Sequence, residues 1–112
     1  MTTELSDKLD ALLALDPKRD GYDALPINPK IVAIVRELLE LLSDAELEGV
    51  AIVPTVDGDV QLEWAGPKKH LELEFDGLYV HVTAIECDDY DYTSFESPGH
   101  NVTAGWVRWF HA

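Results

Sequence analysis

The chain has 112 residues, 46% of them hydrophobic and three of them tryptophan, which suits one globular domain and excludes a disordered chain. Its formal net charge is −14, from 22 acids against 8 lysines and arginines, and this disfavours direct contact with nucleic acid or an anionic membrane. No apolar run approaches the roughly 20 residues that span a bilayer. The start, MTTELSDKLD, lacks the layout of a signal peptide, so a cytoplasmic location is expected.

Leu5, Leu9, Leu12 and Leu13 recur at helical spacing and predict an amphipathic helix over Thr3 to Leu15. Thr2 or Thr3 can cap it, and Asp16-Pro17 ends it, because a residue before proline avoids helical geometry. Residues 17–27, PKRDGYDALPI, form a connector with Tyr22 as an aromatic anchor. Asn28-Pro29 then reads as the cap and first position of a second helix. Its apolar stripe is Ile31, Ile34, Val35, Leu38, Leu41 and Leu42, with Arg36, Glu37 and Glu40 facing outward. Ser43 caps one further short turn, which Gly49 stops.

Val50 to Val56 is the first strand, and Pro54, which cannot donate to a ladder, marks it as an edge or a bulge. Asp57-Gly58 and Asp76-Gly77 each predict a tight hairpin turn, and Ala65 to Lys68 a third reversal, separating strands over 59–65, 69–76 and 78–86. These turns place Leu62 opposite Leu71, Val60 and Val80 opposite Leu73, and Val82 opposite Leu71. One face then carries Val60, Leu62, Leu71, Leu73, Phe75, Val80 and Val82. The other carries Gln61, Glu63, His70, Glu72, Glu74, Tyr79, His81 and Thr83. Cys87 to Gly99 reads as a loop, and Asn101 to His111 as a last strand with Trp106 and Phe110 on one face and Trp109 on the other. The expectation is a single α+β domain over residues 1–112. Two N-terminal helices pack on one face of an antiparallel meander sheet of about five strands.

Residues 19–80 also carry a resemblance. Asp20-Gly21-Tyr22, Ala24-Leu25-Pro26 and the run from Gly58 to Trp64 are similar to those of a group of small uncharacterised bacterial proteins. The resemblance implies the same helix-then-hairpin order and carries no activity with it.

Three constellations are candidates for function. On the polar sheet face the expected register sets Glu63 against His70 and Glu72 against His81, a donor set for a divalent metal or for acid–base work. The plainer reading is cross-strand ion pairs on a solvated face, with no metal and no cofactor, so that added zinc leaves the melting temperature unchanged. The segment from Cys87 to Glu96 interleaves Asp88, Asp89, Asp91 and Glu96 with Tyr90, Tyr92 and Phe95, a pattern suited to docking on a basic protein surface. Its spacing is not that of an EF-hand. Trp109 in the tail is the third, as an aromatic anchor for a partner. Cys87 is alone, which excludes an intramolecular disulfide, and an acidic setting disfavours its thiolate.

Together these favour a small non-enzymatic acidic protein whose partner-binding residues are Asp88, Asp89, Tyr90, Asp91, Tyr92, Glu96 and Trp109. The expected partner is a basic site on a nucleic-acid-binding protein, as for a phage-type inhibitor of bacterial defence (an anti-CRISPR) or an antitoxin-like neutraliser. The alternatives are a metal- or histidine-dependent enzyme using Glu63, His70, Glu72 and His81, and a structural homodimer through the C-terminal strand.

Overall fold

The computed structural model describes residues 1–16, 25–77, 79–86, 91–98 and 103–112, with 91–98 described as backbone. Helix α1 (Thr3–Leu13) begins where Thr2 Oγ1 accepts the amide of Leu5 at 3.3 Å. Helix α2 (Pro29–Leu41) begins where Asn28 Oδ1 accepts the amide of Lys30 at 2.9 Å, with Pro29 at its first turn. Helix α3 (Asp44–Leu47) is a single turn held by a reciprocal cap: Ser43 Oγ accepts from the Glu46 amide, and Glu46 Oε1 accepts from the Ser43 amide.

The strands β1 (Ala51–Pro54), β2 (Val60–Ala65), β3 (Lys69–Phe75), β4 (Tyr79–Glu86) and β5 (Asp91–Pro98) form one antiparallel sheet in sequence order. Helix α4 (Thr103–His111) closes the described chain. The α+β class and the meander are as expected. The helices lie on one face, and their buried residues share a single core with Val60, Leu62, Trp64, Leu71, Leu73, Phe75, Val80 and Val82.

Two expected elements are different. Asn101 to His111 was expected as a strand, yet Thr103–His111 is helical. The aromatic and β-branched content suggested a strand. The spacing decides otherwise, since Thr103, Trp106, Val107 and Phe110 fall at i, i+3, i+4 and i+7, and Thr103 and Val107 are buried. A homodimer built on a C-terminal strand therefore loses its element. Conversely Asp91–Pro98, expected as part of a loop, is strand β5, paired along the whole of β4. Its Tyr-Thr-Ser-Phe centre has strand propensity that the surrounding acids obscured.

Smaller differences follow from packing. In α2 the buried positions include Val32 and Leu39, while Leu41 is 83% exposed and Ile34 half-buried. The helix is rotated because α1 lies along the side bearing Val32 and Leu39. Arg36, expected outside, reaches α1 there, donating to Ser6 Oγ at 2.7 Å and pairing with Asp10. Leu13 of α1, expected on the apolar face, is 50% exposed.

The register is displaced by two residues in both central hairpins. Leu62 pairs with Leu73 and Val60 with Phe75, and Leu73 pairs with Val82 and Phe75 with Val80. The β2–β3 reversal is tighter than expected, closed by the Gly66 amide donating to Lys69 O at 2.9 Å. The β3–β4 turn centres one residue later than expected, with Asp76 N donating to Tyr79 O and Gly77 at φ 103°. Side chains alternate with a period of two, so a two-residue slip keeps every side chain on its expected face while changing its neighbours. At the sheet edge, β1 ends at Pro54, as its missing donor requires. A loop over residues 56–58 joins β1 to β2, with Gly58 at φ 84° and its amide donating to Thr55 O.

Candidate functional site

The sheet face opposite the helices is open among the described residues, and it is acidic. Its positions are Ala51 and Val53 on β1, Gln61, Glu63 and Ala65 on β2, His70, Glu72 and Glu74 on β3, and Tyr79, His81, Thr83 and Ile85 on β4. All are half-buried or exposed, whereas their sequence neighbours on the central strands are buried against the helices. No lysine or arginine among the described residues projects from it. Lys69, by its register, points to the helical side, where its ammonium donates to Trp109 O at 2.7 Å and to Ala112 O at 3.4 Å, capping the end of α4.

The two-residue slip rearranges the charged pairs. Glu63 was expected opposite His70, and Glu72 opposite His81. Instead Glu63 is the direct partner of Glu72, and Glu74 of His81. Like charges directly opposite repel. His70, two residues before Glu72 on the same face, leans into the gap: its Nε2 lies 2.9 Å from Glu72 Oε1 and 3.3 Å from Glu63 Oε1. The three donor atoms lie within 4.8 Å of one another. His81, the fourth member of the expected set, is away from them and pairs with Asp76.

That end of the sheet concentrates further acids that the sequence analysis did not group. Asp59 has its carboxyl raised above the ordinary value, first by burial and then by Glu74, Asp76 and Asp57, with His81 opposing. The signal was available: Asp57, Asp59, Glu74 and Asp76 bracket the two glycine turns.

On the other side of the sheet, Glu46 joins α3 to β2 and α4. Its carbonyl accepts from Trp64 Nε1 at 3.0 Å and stands 2.9 Å from His111 Nε2, and its carboxylate faces Arg108 Nε at 3.5 Å. The Ser43 amide and hydroxyl hold the Glu46 carboxyl below its usual range, with Arg108 and His111 adding to the effect. These contacts lock α3, β2 and α4 together.

Of the expected docking residues, Asp88, Asp89 and Tyr90 lie outside the described residues, as does Cys87. Asp91, Tyr92 and Glu96 fall on β5, paired with Glu86, Ile85 and His81. Trp109 was expected on a sheet face and is on α4, half-buried, edge-on to Trp106 at 5.5 Å and beneath the Lys69 ammonium at 4.9 Å. No family model, no curated protein and no solved structure matches the chain.

Proposed function

We propose that the protein is a non-enzymatic acidic binding protein, and that the open sheet face docks on a basic surface of a nucleic-acid-handling protein. The observation that carries this reading is the segregation of charge. Glu63, Glu72 and Glu74 stand on one face that is uncovered among the described residues, with Asp59 and Asp76 at its end, and the described lysines and arginines lie elsewhere. A face of one sign attracts its partner over roughly a Debye length, about 8 Å at physiological salt, and raises the encounter rate. Exposed Tyr79 supplies an aromatic contact amid the acids. Along β5, Glu96 is the register partner of His81 and continues the same face. An inhibitor of a bacterial defence complex and an antitoxin-like neutraliser would both fit such a surface.

The test is retention of basic proteins from host lysate at low and high salt by three forms of the chain. The first is wild type, the second carries Glu63→Gln, Glu72→Gln and Glu74→Gln, and the third carries Glu37→Gln, Glu40→Gln and Glu48→Gln on the helical side. A nucleic-acid-binding protein retained by wild type at low salt, lost at high salt and lost by the sheet triple alone is the expected result. Equal loss in both triples would refute the sheet face as the contact, and retention insensitive to salt would refute the charge argument.

A further inference from the structure

We propose that Glu63, His70 and Glu72 bind a divalent transition metal, with zinc the best match to the donors. The site stands independently of any protein partner.

The geometry makes the first argument. Bonds from zinc to imidazole nitrogen and carboxylate oxygen are about 2.0–2.2 Å, which in a tetrahedral shell sets neighbouring donors about 3.3–3.5 Å apart. The Nε2 to Oε1 separations here are 3.3 and 2.9 Å, so small side-chain rotations place all three donors around one point. The ladder supplies the positions. Glu63 and Glu72 are register partners on β2 and β3, and the alternation of β3 sets His70 on the same face as Glu72.

Charge makes the second. Two carboxylates face each other across a ladder with no lysine or arginine on that face among the described residues. A proton on His70 Nε2 gives a single N–H, which two carboxylates at 2.9 and 3.3 Å must share. A dication takes both carboxylates and the nitrogen lone pair together. The donor type excludes calcium and magnesium as preferred occupants, since both favour all-oxygen shells.

Access makes the third. The side chains are 30% (Glu63), 26% (His70) and 36% (Glu72) exposed, partly withdrawn from water yet reachable. The β1 and β2 neighbours Ala51 of Glu63 and Ala65 of His70 are small and exposed, so among the described residues that flank leaves room for water or an incoming donor to complete the shell.

The experiment is titration of the full-length, chelator-treated chain with zinc by calorimetry, and with cobalt(II) followed by visible absorption. Wild type is expected to bind one zinc, to gain thermal stability with it, and to give tetrahedral cobalt bands. His70→Ala should weaken zinc by about tenfold or more and remove the bands, as removal of a metal partner typically does. His81→Ala and Cys87→Ala should change neither. Glu72→Lys places a fixed cation in the gap, so it should abolish zinc binding and leave a fold whose melt no longer responds to zinc. Absence of zinc binding by wild type would overturn the proposal. So would binding that survives both His70→Ala and Glu72→Lys, or binding lost in Cys87→Ala. If His70→Ala does not fold, the Glu72→Lys comparison decides.

Discussion

Gly58→Ala probes the joint between the helical connector and the sheet. Gly58 sits at φ 84°, and a Cβ built on it would stand 2.5 Å from the carbonyl oxygen of Pro26. The left-handed backbone by itself costs an alanine about 1–2 kcal/mol. The contact with Pro26 is with backbone, which no rotamer change relieves, so residues 25–28 must move away. That movement strains two hydrogen bonds, Leu25 N to Val56 O at 2.8 Å and Asn28 N to Gly58 O at 2.9 Å. Each is worth a net 0.5–1.5 kcal/mol, to order of magnitude. Reduced freedom of the unfolded chain returns about 0.4–1 kcal/mol. The net loss is then about 2–4 kcal/mol, a large part of the roughly 5–15 kcal/mol that holds a domain folded. Gly49 (φ 78°) and Gly77 (φ 103°) provide the controls, because a Cβ on either meets nothing within 4 Å. Their alanine variants should lose only about 1 kcal/mol. Gly58→Asn, which tolerates a left-handed backbone but keeps the Cβ, should recover part of the backbone cost and keep the loss due to Pro26. Urea unfolding followed by tryptophan fluorescence gives all four values. If Gly58→Ala costs no more than Gly49→Ala, the close approach of Pro26 is not what the glycine serves.

Asp59→Asn should raise the melting temperature at neutral pH. The folded-state carboxyl of Asp59 is raised, so its charged form opposes folding at neutral pH, and the gain from Asn should shrink as pH falls through the raised value toward the ordinary Asp range; a gain unchanged down to that range would contradict this origin. Ser43→Ala should cost about 1 kcal/mol by removing the cap of α3. Because Ser43 holds the Glu46 carboxyl low, the contribution of this pair is present above the usual Glu range and disappears as pH falls through the depressed value. The gap between wild type and Ser43→Ala should therefore narrow in acid melts, while the part due to Ser43 Oγ accepting from the Glu46 amide persists, and a constant gap would refute the assignment.

Much of the molecule was legible in the linear chain because its signals are local. Asn28-Pro29 and Ser43 to Glu46 start helices through hydrogen bonds spanning two or three residues. The alternation from Val60 to Val82 sorts side chains to two faces whatever the exact pairing. Register is a different kind of quantity. It depends on where each reversal closes, and moving each turn centre by one residue slipped the pairing by two, which left the buried face intact while exchanging every partner on the polar one. That exchange brought Glu63 against Glu72 with His70 between them, where sequence reasoning had two separate Glu–His pairs. The tail shows the same limit from another side. Trp106, Val107 and Phe110 suit a strand by residue type and a helix by spacing, and the choice is made by what they pack against: α4 lies on β3 and beside α3, with Lys69 capping its end. In the strands, residue type and spacing thus determined which side chains turn inward. Only long-range packing decided which of them meet, since contacts between strands are set by chain closure and not by the neighbours along the chain.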